Sequence, residues 1–172
     1  MSTPALQPGQ VVALHLTFAG GDMVLRRRET DGRQREVRLA LSPERLARET
    51  FGGAMPSAIA LENAIMLVED SLATAQTIAS AASGVSVLQS DAPEFQQIAS
   101  LAGLAQHLPL TLHRDAVEQV FSRLVARIEG NPAERERLPA DATFAAALLI
   151  LRECLHHWGF TAIQLVPTVP EP

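Results

Sequence analysis

The residues best equipped for chemistry gather near the end of the chain, in Glu153-Cys154-Leu155-His156-His157. Glu153 and His156 have the Glu-x-x-His spacing that sets a carboxylate and an imidazole on one helical face, as in di-iron carboxylate bundles. Those bundles use the pair twice and add a Glu from each of two further helices; here the pair occurs once. More carboxylates are available in 57–80, where Glu62 and Glu69 are seven apart, on one helix side and about 10 Å from each other. Asn63 and Asp70 repeat that spacing. Glu62, Glu69, Glu153 and His156 are therefore the candidate metal ligands or acid/base groups, on condition that the two segments converge. Apart from each other, Glu62 and Glu69 read as the solvated face of an amphipathic helix, and His156 and His157 as donors suited to a helix C-terminus.

Cys154 and His157, three apart, suggest a thiolate–imidazole pair, but nucleophile and base usually come from different segments, and a Cys on an apolar helix is more often inert packing. The sequence has no Gly-x-Ser-x-Gly elbow, no glycine-rich phosphate loop and no zinc-like spacing of Cys and His. Catalytic residues stay unassigned on this reading. No cofactor is favoured, with a divalent metal as the alternative.

A second group is basic: Arg26, Arg27, Arg28, Arg33, Arg35 and Arg38 crowd one hairpin. Glu29, Asp31 and Glu36 are interleaved and no aromatic lies among them, which describes a solvated, cross-paired surface. A protein partner with an acidic patch would meet Arg26, Arg28 and Arg38; Met66, apolar and adaptable among polar neighbours, marks a second contact candidate.

Composition bounds what these groups can serve. At 172 residues, 47% hydrophobic and 19% charged, the chain is long enough for a real core and lies far from the disordered class. Up to Gly52 there are eight Arg against six acids, and beyond it six against thirteen, within a net charge of −5. An acidic body argues against nucleic acid as a partner. One Cys excludes an internal disulfide, MSTPALQPGQ has no secretory pattern, and the longest apolar run falls short of the ~20 residues that cross a bilayer. All basic residues are Arg, as GC-rich bacterial coding would give. A cytoplasmic protein with no membrane partner is expected.

The elements follow from periodicity. Period-two alternation over 11–41, broken at Gly20-Gly21 and Asp31-Gly32, predicts a three-stranded meander. A two-residue loop at Asp31-Gly32 would set Val24 opposite Leu39 and Arg27 opposite Glu36, with Arg27 in solvent. Ser42-Pro43-Glu44 starts a short helix. Helices follow over 57–80, 93–104 and 113–129, with a short strand over 84–88, a connection over 107–110 and a charged link over 134–137. The segment 141–158, apolar all the way round in its first half, must be surrounded by protein, and 161–166 reads as a strand.

The expected fold is α+β: an N-terminal antiparallel meander packed against three to four helices around a central buried helix at 141–158, with a short C-terminal strand. Gly52-Gly53 is the candidate boundary between 1–52 and a helical body over 53–166, followed by a loose tail over 167–172; one compact domain is the alternative. Since no reaction motif stands alone and the oppositely charged halves offer a means of association, the sequence reads as a bacterial accessory or assembly protein, homodimeric and without catalysis. The rival reading is a metal-dependent enzyme, a hydrolase or oxygen-using protein, with a carboxylate/histidine site between 57–80 and 141–158.

Overall fold

Alternating apolar residues build the first strand, β1 (Ala13–Ala19), in which Leu14 and Leu16 are fully buried while Ala13, His15 and Thr17 are only partly so. Gly20 and Gly21, at φ 63° and 81°, then turn the chain into β2 (Asp22–Arg28). Two successive positive φ values are what a two-residue hairpin turn requires. The next hairpin departs from expectation. β2 pairs with β3 (Gln34–Leu39) so that Val24 faces Arg38 and Arg26 faces Glu36, one residue off the expected register. Glu29 N donates to Arg33 O and Gly32 N to Glu29 O, enclosing a three-residue loop with Gly32 at φ 85°. That is the turn-plus-left-handed-residue loop, which adds one residue to the two-residue form.

The computed structural model describes residues 12–168, so the expected reading of the N-terminal segment and the end of the expected tail, 169–172, lie outside the described residues. Within them the meander is half of a larger mixed sheet. β4 (Val87–Ser90) pairs parallel to β1, β6 (Ala162–Leu165) pairs parallel to β4, and β5 (Leu110–His113) lies antiparallel at the edge. The strand order is β3-β2-β1-β4-β6-β5. Strands from both sides of Gly52-Gly53 therefore share one sheet and one core. The connection expected over 107–110 gives way at Leu110 to β5, whose four residues show too little alternation to reveal a strand without its partner.

Helices line the core. α1 (Pro43–Glu49) starts where the Ser42 hydroxyl accepts from Arg45 N, and α2 (Ala58–Ala73) where Ser57 accepts from Ala60 N. The helix expected over 57–80 ends early, at Thr74, and the chain continues through the four-residue α3 (Gln76–Ala79) and one 3-10 turn, Ala81–Ser83. This break explains a second departure. Arg27, expected in solvent, is 8% exposed and donates to Ile78 O, Ser83 O and Ser83 Oγ, carbonyls and a hydroxyl freed where the helix stops. α4 (Pro93–Leu101), α5 (Arg114–Ile128) and the short α6 (Pro132–Arg137) follow. The expected charged link is thus a helix, capped by Asn131 and held by Arg127, which donates to Glu134 O, Arg135 O and Leu138 O.

α7 (Ala142–His157) organises the rest: every residue from Phe144 to Leu151 is buried, and α1, α2, α4 and α5 all pack on it. Each fully buried Leu or Ile here contributes about 1.5–3 kcal/mol. Asp141 caps its start, and Phe160 N donating to Leu155 O past Gly159 (φ 75°) closes its end. Among the described residues no helix is long and apolar enough to cross a membrane.

Candidate functional site

Two places converge chemically competent side chains, and the topology puts them at opposite ends of the sheet. α7 runs into β6 through a short loop, so its C-terminal end sits at the amino ends of the parallel strands β1, β4 and β6.

At that pole α2 and α7 meet, pinned where Trp158 Nε1 donates to Leu72 O at 3.3 Å. The meeting brings Glu69, Glu153 and His157 together, with one ligand atom of each lying within 4.8 Å of the others. Glu62, seven residues before Glu69 and exposed, is outside this group. His156, named beside Glu153 in the sequence reading, turns instead to α5 and pairs with Glu118. Arg152 Nε also donates to Glu118, at 3.1 Å, while its guanidinium lies over the Phe121 ring and reaches Glu153. Partial burial works against the Glu118 carboxylate, but the bonds from His156 and Arg152 outweigh it and hold its pKa below the ordinary range. Glu153 goes the other way: burial raises its pKa against the pull of Arg152, and Glu69 adds to the rise. Cys154 is wholly buried, and burial pushes its thiol well above the ordinary value, so it is packing and not a nucleophile.

The other place was not visible in the sequence. In open sheets with parallel strands, ligands bind in the crevice outside the strands' carboxyl ends, where connections leave in opposite directions. β1 turns back into β2 on one side, while β4 leads through α4 toward β5 and β6 on the other. A crevice opens there, lined by Thr17, Phe18, the Gly20-Gly21 turn, Glu44, Pro93 and Glu94. Both carboxylates are second residues of helices that open with Pro-Glu, which in hindsight is the signal in the sequence. Arg45 fixes α1 to the turn by donating to Gly21 O at 3.1 Å and pairing with Asp22 at 3.4 Å. On the far wall the Ser90 hydroxyl accepts from Ala92 N, and Phe95 meets Phe18 edge-on at 5.6 Å, setting Glu94 against the strand end. Glu94 Oε2 is buried without a hydrogen-bond partner, whereas Asp91 Oδ1, three residues earlier and outside the crevice lining, faces His15 Nε2 at 3.7 Å. An unsatisfied buried oxygen costs about 1–3 kcal/mol, and here it borders an open crevice. Glu44 and Glu94, the two carboxylates of the lining, offer oxygen only, which fits a hard divalent cation.

Of the partner-contact candidates, Arg26 and Arg38 both donate to Glu36, at 3.0 and 3.1 Å, Arg28 is exposed at the end of β2, and Met66 is 58% exposed on α2.

No protein-family model matches the sequence, and no curated protein matches it. Solved structures do match in shape. A Ppx/GppA enzyme of Aquifex aeolicus superposes with a TM-score of 0.73 at 11% identity over 94% of this chain and 55% of that one. An exopolyphosphatase-like protein gives 0.69 at 12% identity, over 96% and 59%, and an exopolyphosphatase from Cytophaga hutchinsonii gives 0.66 at 13%, over 92% and 54%. What is shared is the fold. The chain spans little more than half the length of these structures. The comparison corrects the expected non-catalytic, protein-contact role. That expectation rested on the lack of a self-sufficient reaction motif and on the oppositely charged halves, whereas this architecture recurs in structures named as phosphatase and exopolyphosphatase.

Proposed function

We propose that the chain is a phosphohydrolase domain that takes a phosphate chain or phosphate ester in the crevice at the carboxyl ends of β1 and β4. The observation that carries this reading is the pairing of Glu44 and Glu94 across that crevice, with Glu94 Oε2 buried and unpartnered. Two carboxylates alone would repel a phosphate. Held between them, a divalent cation such as Mg²⁺ would neutralise phosphate oxygens and make the phosphorus more open to attack. The chain's own groups do the rest. The Thr17 hydroxyl and the amides of the Gly20-Gly21 turn are donors for phosphate oxygens, and a carboxylate oxygen that the cation leaves free would orient the attacking water and accept its proton. Arg45, tied to Gly21 and Asp22, keeps the turn in place, so the donors are positioned before substrate arrives.

The test is phosphate release from polyphosphate, a nucleoside triphosphate and an aryl phosphate, each with Mg²⁺ or Mn²⁺, set beside Glu94→Gln and Glu44→Gln. Cation-dependent release that falls by about 10²-fold or more in either variant supports the reading. Absence of turnover, together with no calorimetric binding of polyphosphate, overturns it for this chain.

A further inference from the structure

Glu69, Glu153 and His157 form the one group of His, Cys, Asp and Glu side chains among the described residues with ligand atoms mutually within 4.8 Å. Two features set them apart from ordinary surface charge. The first is the burial of Glu153. Its side chain is 4% exposed, it lies beside a second carboxylate, and its hydrogen bond from Arg152 goes to Oε1 alone. A buried carboxylate next to another is unfavourable unless a proton or a cation sits between them. The second is the contrast between neighbouring imidazoles. His156 Nε2 is taken up by Glu118, whereas His157 Nε2 stands 3.6 Å from Glu69 Oε1, too far for a hydrogen bond. Both histidines border a surface depression whose wall also includes Glu69, Arg152 and Glu153.

We propose that Glu69, Glu153 and His157 bind a first-row divalent transition ion of the Zn²⁺ or Mn²⁺ type, at the pole opposite the crevice. The imidazole selects against Mg²⁺ and Ca²⁺, which prefer oxygen, and the two carboxylates supply the charge. Three protein ligands leave the remaining positions to water. Glu69 comes from α2 and the other two from α7, so the ion would clasp the two helices where Trp158 already joins them. Arg152, shared between Glu118 and Glu153, is the nearby cation, and its charge sets a limit on affinity.

The experiment equilibrates the full, chelator-treated chain with Zn²⁺ and, separately, with Co²⁺. It then measures retained metal by elemental analysis and the visible absorption of the Co²⁺ form. One equivalent is expected. His157→Ala and Glu69→Gln should weaken binding by at least about 10-fold, and His156→Ala should leave it within about 2-fold, since losing a ligand removes far more affinity than changing a neighbour. Glu69 is half exposed, so its variant keeps the fold even if a change at Glu153 does not. No retained ion at micromolar metal, or retention by His157→Ala with loss in His156→Ala, overturns the assignment. Binding is the readout, so the result stands whether or not the crevice releases phosphate.

Discussion

The crevice beyond β1 and β4 and the depression between α2 and α7 each join two carboxylates from separate elements, yet their support differs. In the crevice the carboxylates stand at helix starts, beside a glycine turn and strand ends, and nitrogen ligands are absent from its lining. At the far pole they project from long helices with buried faces and share the space with an imidazole. The first arrangement sets a glycine turn beside the carboxylates and offers oxygen alone to a cation. The second offers mixed ligands on rigid supports. Donor type decides which ion suits each site, and place in the fold decides whether a phosphate can join it.

The strongest break of this comparison is the double variant Glu44→Gln/Glu94→Gln. Cation-dependent phosphate release should fall by about 10²–10³-fold, as when a preorganised charge-stabilising group is lost. Zn²⁺ retention at the other pole should be untouched. If both are lost together, the two sites are not independent.

Next is the turn. Gly21 has φ 81°, and a Cβ there would lie 3.5 Å from Arg45 Nη2. Gly21→Ala should cost about 1–2 kcal/mol of stability from left-handed strain, its Cβ resting in ordinary contact with the Arg45 guanidinium and leaving that side chain in place. Gly20, at φ 63° with open space around its Cβ position, carries the strain without the contact. Denaturant midpoints of the two alanine variants should therefore shift together, and any KM change should be shared, because both amides face the crevice.

How much of this could be read from residues follows the range of each interaction. α7 was legible because eight successive buried residues leave no polar face, and the helix starts at Ser42 and Ser57 because capping is local. The hairpin register was not, since one extra loop residue at Gly32 changes no composition and shifts every pair. The crevice depends on β1 pairing parallel to β4 across more than seventy residues, and no local pattern records that choice. The far pole was half legible. Glu69 and Glu153 were named, but whether His156 or His157 joins them depends on the rotation of α7 between α2 and α5, and Glu118, which takes His156, gave no sign in its own segment.

A smaller effect probes the clasp itself. Trp158→Phe keeps the ring's burial but removes the bond to Leu72 O, at a cost of about 1 kcal/mol. The loosened α2–α7 junction should weaken Zn²⁺ retention by about 10-fold, the size expected for a supporting contact. Stability loss without a change in metal affinity would show that the ligands do not depend on this bond.

The finest distinction lies within the far pole, between two glutamates shifted in opposite directions. Glu118 has a folded pKa below its ordinary value of 4.5. Its stabilising contribution is thus present above that value and fades as pH falls through the depressed one. Glu153 is raised, so its contribution is complete below the unfolded value and is lost as pH rises through the folded one. In chelator-treated protein at neutral pH, Glu118→Gln should then destabilise, by about 0.5–1 kcal/mol for a partly exposed charged network, whereas Glu153→Gln should stabilise. Both differences should close as urea midpoints are followed into acid, that of Glu153 first. Saturating Zn²⁺ should reverse the sign for Glu153 alone, because the ion then makes the buried charge an asset that glutamine cannot supply.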